Sequence, residues 1–164
     1  MKVLGNVIWF CFLGGFFSWL LWLIACLLAY ISIVGIPWGR ACWNISEMAA
    51  WPFGKEAINR RELTDRRDFG TGIFGSVGNV LWLLLVGVWL ALAHTISGLA
   101  LCITIIGIPF GLQHFKLAGL ALWPIGKAIV AKELAEEARK TNAKSNLEKV
   151  RSGTPVVAIK DYEL

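Results

Sequence analysis

Two long stretches without charge constrain this chain more than any other feature. Residues 3–39 and 71–115 contain no Asp, Glu, Lys or Arg over 37 and 45 consecutive positions. A bilayer crossing needs about 20 apolar residues, so each stretch is long enough to cross a membrane. Only 16% of the residues are charged, whereas soluble domains have about 25%. The chain is therefore expected to be an integral membrane protein.

The chain also repeats itself at an offset of 73 residues in its first block and 72 in the next two. Three blocks recur in order: GNVIW (5–9) as GNVLW (78–82), IVGIPWG (33–39) as IIGIPFG (105–111), and WPFGK (51–55) as WPIGK (123–127). Shared membrane composition alone would not repeat two proline positions. Internal repeats of this kind are common in membrane transport folds.

The repeats predict an all-α membrane protein with two parallel repeats and a cytoplasmic C-terminal helix. Each repeat is read as a long transmembrane helix (4–34 and 76–106), a Gly-Ile-Pro break and a shorter membrane or re-entrant helix. Proline is accepted in the first turn of a helix, so the breaks are assigned to Gly35, Pro37, Gly107 and Pro109, with the glycines at positive φ. The predicted domains are residues 1–54, a charged cytoplasmic linker at 55–72, residues 73–126, and a helix with a flexible tail at 127–164.

The distribution of basic residues predicts the topology. Lys and Arg occur at the start, between the repeats and after the second repeat, and such residues favour the cytoplasmic side. Both termini are then cytoplasmic, and each repeat has an even number of crossings. The return segment 38–54 contains Arg40 and Glu47 and is short, so two interpretations remain open. It either crosses fully or forms a re-entrant or interfacial helix.

Polar residues within the apolar surroundings are the candidate functional residues. Arg40, Asn44 and Glu47 share one helix face, and Lys116 takes the place of Asn44 in the second repeat. They either line a water-filled pathway or lie at the lipid headgroups. The candidate pathway-lining residues are Arg40, Asn44, Glu47, Gln113, His114 and Lys116. The two histidines, His94 and His114, are read either as packed core residues or as a proton relay.

Small residues spaced four apart suggest close helix packing. Gly14 and Ser18 recur at the offset of 73 as Gly87 and Ala91. Such pairs let helix backbones approach one another, between repeats or between subunits. Glycine is also frequent in membrane helices, so the pairs alone do not decide this.

Several functions are not expected. The sequence has no zinc-protease, nucleophile-elbow, P-loop or dinucleotide signature, so no enzyme activity, metal or cofactor is expected. Its four cysteines form no CxxC pair. The formal net charge is +5, but basic and acidic residues are interleaved, which argues against nucleic acid and favours a face beside anionic lipid.

The segments GIPWGRACW, WPFGKEA, GNVLW and IIGIPFGLQHFKLAGLALWPIG resemble the YccF domain family of small bacterial inner-membrane proteins with two YccF repeats. The resemblance covers residues 1–130 approximately and implies a location in the bacterial inner membrane. It carries no established biochemical activity.

Two function hypotheses follow. The first is a homo-oligomer that forms an ion or small-solute pathway, because four short membrane segments do not enclose an aqueous path alone. The second is a non-transporting membrane scaffold that binds a cytoplasmic partner through its basic tail. The lipid bilayer is the expected partner in both.

Overall fold

The computed structural model of the protein describes residues 2–32, 35–66, 68 and 70–153. The fold is mostly helical, in agreement with the predicted class. In chain order the elements are α1 (Lys2–Phe12), α2 (Gly15–Ile31), α3 (Ile36–Ala50), β1 (Lys55–Asn59), α4 (Arg60–Thr64), α5 (Ile73–Trp82), a π-helical turn (Leu83–Gly87), α6 (Val88–Cys102), α7 (Ile108–Leu122), β2 (Lys127–Ala131) and α8 (Lys132–Arg151).

Each repeat contains a helical hairpin, with α2 turning back onto α3 and α6 onto α7. Pro37 and Pro109 lie in the first turns of α3 and α7, as predicted. The expectation of positive φ before them is wrong, because Gly35 and Gly107 have φ of −81° and −75°. Both glycines are needed for space instead. A Cβ on Gly35 would lie 2.5 Å from the carbonyl oxygen of Ala29, and one on Gly107 would collide with a backbone carbonyl in the same way.

Residues 4–34 are longer than an upright crossing needs, so the sequence favours a tilt or a kink in this helix, and the structure has a kink. The segment is broken into α1 and α2, which meet at an angle of 73°. The break falls at Gly14, which has φ of +88°, a left-handed conformation that glycine adopts at little cost. The first repeat also has one residue more than the second between its GNxW block and its hairpin turn, since the offset falls from 73 to 72.

The equivalent helix of the second repeat stays continuous. It runs over Ile73–Cys102 with a π-helical turn in the middle, and its 30 residues are long and apolar enough to cross a membrane. The bent pair of α1 and α2 passes the same test of length and composition only when the two are taken together.

A two-stranded antiparallel sheet joins the repeats and was not predicted from the sequence. β1 lies where a solvated linker was expected, and β2 occupies the first residues of the predicted C-terminal helix. In its register Ala57 pairs with Ile129, and these residues are 72 apart, the repeat offset. Each residue of this central pair is thus the equivalent of the other, which places a local two-fold axis through the middle of the sheet.

The sheet separates the apolar helices from the charged end of the chain. Successive strand residues point to opposite faces. Ala57 and Ile129 pack against the hydrophobic core of the helices, while Glu56 on the other face binds Arg139 of α8 at 2.6 Å. The architecture is therefore layered, with α8 and α4 outside, the sheet between, and the helical hairpins beneath.

Both ends of α3 lie beside this sheet. At its start, the Trp38 side chain donates to the carbonyl of Gly78, and Pro37 lines one cavity together with Lys127 of β2. At its end the chain passes directly into β1 through a turn in which the Lys55 amide donates to the carbonyl of Pro52. α7 is placed in the corresponding way. The ring centroids of Phe110, in its first turn, and Phe53, in the turn before β1, are 5.3 Å apart, and the end of α7 leads into β2.

Candidate functional site

A buried asparagine clamps each repeat to the turn that precedes its strand. The Asn6 amide donates to the carbonyl of Phe53 at 3.1 Å and accepts from the Phe53 amide at 2.8 Å. Asn79 makes the same two bonds to Ile125, at 3.1 and 2.9 Å. Both asparagines are 1% exposed. A pair of bonds to one residue fixes the start of the first helix against the end of the hairpin.

A tryptophan one turn further on repeats the arrangement. Trp9 donates its indole N–H to the carbonyl of Ala49 at 2.7 Å, and Trp82 donates to Ala121 at 2.8 Å. Each ring links the first helix of its repeat, α1 or α5, to the end of the hairpin, and both rings are buried. The Asn and Trp of the GNxW block therefore make the same contacts in both repeats.

A chain of three buried polar rings crosses the centre of the helical layer. Trp22 donates to Nε2 of His94 at 3.1 Å, and Nδ1 of His94 lies 3.1 Å from Nδ1 of His114. An indole nitrogen only donates, so in the neutral state His94 carries its proton on Nδ1 and donates it to His114. His114 then has its proton on Nε2, the side that faces Gly14, and it hydrogen-bonds with the backbone of Leu13.

This arrangement agrees with the interpretation of the histidines as satisfied core residues, because both rings have partners. Trp22 and His94 are also 72 residues apart, so the local two-fold axis passes near their contact. Beside them an apolar cavity of about 360 Å³ opens at the bend between α1 and α2, lined in part by Ser18, His94 and His114.

A second cavity lies at one end of the two-stranded sheet and has a basic lining. Arg40 and Asn44 of α3 reach it from the helical layer, and Arg60 and Lys127 reach it from α4 and β2. Its volume is about 130 Å³. Three cationic side chains from distant parts of the sequence thus lie around one small space.

The structure does not bring the candidate pathway residues together on one surface. Arg40 and Asn44 line the basic cavity, whereas Glu47 is exposed and its carboxylate lies 4.0 Å from the ammonium group of Lys55. Gln113 is buried and donates to the carbonyl of Pro109. The remaining two are also apart, with His114 in the buried ring chain and Lys116 exposed on α7.

The small residues lie within one chain. Gly87 faces α7, and a Cβ there would lie 2.8 Å from the carbonyl oxygen of Ala121. Its partner Ala91 is buried. Gly14 forms the bend between α1 and α2, and Ser18 is buried beside the apolar cavity. The pair in the second repeat therefore packs α6 against α7, while the first glycine serves a turn.

The charged layer above the sheet is held by ion pairs. Arg139 contacts Glu56 at 2.6 Å and Glu62 at 3.7 Å, and the hydrogen bond to Glu56 raises the pKa of the Arg139 guanidinium. Lys2 hydrogen-bonds with Glu133 and lowers the pKa of that carboxyl group. The Lys2 contact therefore stabilises the folded state above the ordinary pKa of Glu, and it is lost as the pH falls through the lowered value.

Comparison with known proteins assigns the chain to a family. The sequence profile of the YccF inner membrane component domain matches residues 4–55 and 77–127. The chain belongs to the YccF family. Inner membrane protein YccF of Escherichia coli (strain K12) is 42% identical over 151 residues, covering 90% of this chain and all of that protein. The protein of the same name from Shigella flexneri matches to the same extent. No solved structure matches the chain.

The two YccF matches coincide with structural units. Each begins in the helix that carries the asparagine clamp and ends at the first residue of a strand, Lys55 or Lys127. The family resemblance expected from the sequence is confirmed, and with it the inner-membrane class of the chain.

Sequence reasoning missed two residues of the basic cavity. Arg60 and Lys127 were assigned to solvated segments as part of mixed charge runs. Their proximity to Arg40 depends on the pairing of β1 with β2, two five-residue strands that are separated by residues 60–126 in the chain but hydrogen-bonded in space. The signal available in the sequence was the recurrence of a lysine directly after each WPxG turn.

Proposed function

We propose that this YccF-family protein is a membrane scaffold that displays a charged platform on the cytoplasmic face. The platform consists of β1, β2, α4 and α8. The helical hairpins serve as its anchor and lie in the cytoplasmic leaflet without crossing the bilayer. The observation that carries the proposal is that α3 and α7 have both of their ends beside the same two-stranded sheet.

The lengths of the return helices support this placement. α3 and α7 have 15 residues each, which corresponds to about 22 Å at 1.5 Å per residue. The hydrocarbon core of a bilayer is about 30 Å thick. A helix that starts and ends beside one sheet on the cytoplasmic side does not reach the opposite side, and these helices are also too short for an upright crossing.

The apolar turn between α6 and α7 supports the same placement. Ile103, Ile105 and Ile106 are 86%, 87% and 83% exposed. Burial of one such side chain is worth about 1.5–3 kcal/mol, so three isoleucines at a turn favour hydrocarbon over the water beyond the far leaflet. A turn that ends inside the bilayer meets this requirement.

The position of Lys116 also supports a placement of the hairpins in the cytoplasmic leaflet. It lies at the middle of α7 and is exposed. In an upright crossing its charge would approach the bilayer centre, where a lysine costs about 2.5–3.5 kcal/mol. In a helix that lies beneath the sheet, the side chain reaches the headgroups directly.

The charged layer supports a docking role. α8 extends over 20 residues, and in its second half Asn142 donates to the carbonyl of Glu62 while Ser145 and Lys149 line a cavity shared with α4. Leu147 and Val150 lie one turn apart on that half and are 48% and 44% exposed. An exposed apolar pair on a charged cytoplasmic helix is a suitable contact for a partner protein.

The rival proposal is the homo-oligomeric pathway for ions or small solutes. The basic cavity is the observation in its favour, because a ring of Arg40 and Asn44 from several subunits would attract anions. In this account the hairpins cross the bilayer, and both termini are cytoplasmic, as they are in the scaffold proposal.

Reconstitution and cross-linking separate the two. Purified protein in liposomes should carry no chloride or potassium flux above that of protein-free vesicles. A photo-cross-linking residue in place of Leu147 should capture a cytoplasmic protein in cells, whereas one at the lipid-facing Leu84, 70% exposed, should not. Flux whose ion preference changes in Arg40→Glu but not in Leu84→Ala would establish the pathway instead.

A further inference from the structure

The basic cavity has the composition of an anion site. Its side chains include Arg40, Asn44, Arg60 and Lys127, and no carboxylate is among the residues that line it. Arg60 is also paired with Asp68, outside the lining, at 3.0 Å. Within the described residues, Arg40 and Lys127 form no ion pair, so two positive charges and an amide remain available to a ligand.

The walls of the cavity are held in place before any ligand arrives. The amide of Arg60 donates to the carbonyl of Gly126 at 2.8 Å, which fixes α4 against the turn before β2. The indole of Trp38 donates to Gly78 at 2.9 Å and fixes the first turn of α3. Since these bonds join backbone groups or a half-buried ring to the backbone, binding does not require the elements to rearrange, and less conformational entropy is lost.

The repeat-equivalent positions differ in one informative respect. At the offset of 72, Arg40 corresponds to Leu112 and Asn44 to Lys116. The positions of Arg60 and Lys127 remain basic, as Lys132 and Lys55. Of these two sets of equivalent positions, only the set that lines the cavity therefore has a guanidinium on a hairpin helix, α3. Arginine presents a planar set of donors that fits phosphate oxygens in pairs, whereas lysine acts as a point charge.

We propose that the cavity formed by Arg40, Asn44, Arg60 and Lys127 binds a phosphate group. Its volume of about 130 Å³ holds several water-sized molecules and accommodates a tetrahedral anion. Arg40 and Lys127 neutralise the charge, and the Asn44 amide donates to a remaining oxygen. The phosphate belongs either to the headgroup of an anionic lipid or to a free anion. The proposal rests on the cavity alone and does not depend on the scaffold function.

The test uses the full chain, purified in detergent, with two probes. Inorganic phosphate is compared with chloride at equal ionic strength for its effect on thermal stability. Phosphatidylglycerol is compared with phosphatidylcholine for retention by the protein in native mass spectrometry. Arg40→Gln should weaken binding of the effective probe by about tenfold or more, because a charge-assisted hydrogen-bonded contact is lost. Lys140→Gln, on the exposed side of α8, should behave as wild type.

The outcome also identifies the source of the phosphate. Retention of phosphatidylglycerol without stabilisation by inorganic phosphate supports a lipid headgroup, and the reverse supports a free anion. If Arg40→Gln does not fold, Lys127→Gln provides the same comparison from the strand. The proposal is overturned if neither probe binds, or if a folded variant binds phosphate and phosphatidylglycerol as tightly as wild type.

Discussion

Asn6 and Asn79 show how much one side chain can determine in this fold. Each uses both ends of its amide on the backbone of a single residue 46–47 positions away. In an apolar environment an unpaired backbone group costs more than a hydrogen bond gains. The asparagines therefore stabilise the two turns that direct the chain from the membrane layer into the sheet.

Replacing Asn79 by alanine should destabilise the protein by about 2–3 kcal/mol, because two hydrogen bonds are lost and the amide and carbonyl of Ile125 remain buried without partners. Thermal unfolding in detergent measures the effect. Asn44→Ala is the matched control, since Asn44 is half-buried and makes no hydrogen bond within the described residues; its melting temperature should stay near that of wild type. Equal losses for the two variants would show that the clamp does not stabilise the fold.

The sequence shows that these asparagines are equivalent, because they recur in the GNVIW and GNVLW blocks. It did not indicate the partners, because the bonds go to backbone atoms of Phe53 and Ile125, whose side chains differ. A hydrogen bond to a backbone atom does not require a particular side chain on the partner residue, so it leaves no pattern in the sequence.

At the scale of elements, the two hairpins depend on close contact between helices. A Cβ on Gly111 of α7 would lie 2.7 Å from the carbonyl oxygen of Gly98 in α6. Gly119, two turns further along α7, has nothing within 4 Å of the same position. The same helix thus contains one glycine that packing requires and one that it does not.

Gly111→Ala should lower stability by about 1–3 kcal/mol, because backbone atoms of α6 would have to move apart. Gly119→Ala should leave stability unchanged or raise it by about 0.5–1 kcal/mol, since alanine has the higher helix propensity. Both are compared by thermal unfolding of the purified proteins. If Gly111→Ala were as stable as Gly119→Ala, the helices of this hairpin would not be in the close contact described.

The helices and the proline breaks could be predicted because apolar runs and proline positions report on local structure. The length of the first segment indicates a tilt or a kink, but the position of the bend at Gly14 could not be predicted, since the residues around it have the same apolar character as a continuous helix. The two strands were missed for another reason. Five residues are too few to show a period, and each strand finds its partner only in the other repeat.

For the whole molecule, the charge pattern predicts which side of the membrane each polar segment occupies but not the depth of the hairpins. An even number of crossings includes zero, so the topology expected from the basic residues fits both a crossing and a flat placement. The position of α3 and α7 beside the sheet is the observation on which we base the proposal that the hairpins remain in the cytoplasmic leaflet.

The turn between α6 and α7 tests this placement directly. A cysteine at Ile105, 87% exposed at the turn, is introduced into a variant whose four native cysteines are replaced by alanine. An impermeant maleimide is then added to intact cells, whose outer membrane has been made permeable and whose inner membrane is closed, and to lysed cells. A cysteine at Ser145 on α8 is the control and should be labelled only after lysis. The flat placement predicts no labelling of residue 105 in intact cells, and labelling of that site from outside would show that the hairpin crosses the bilayer.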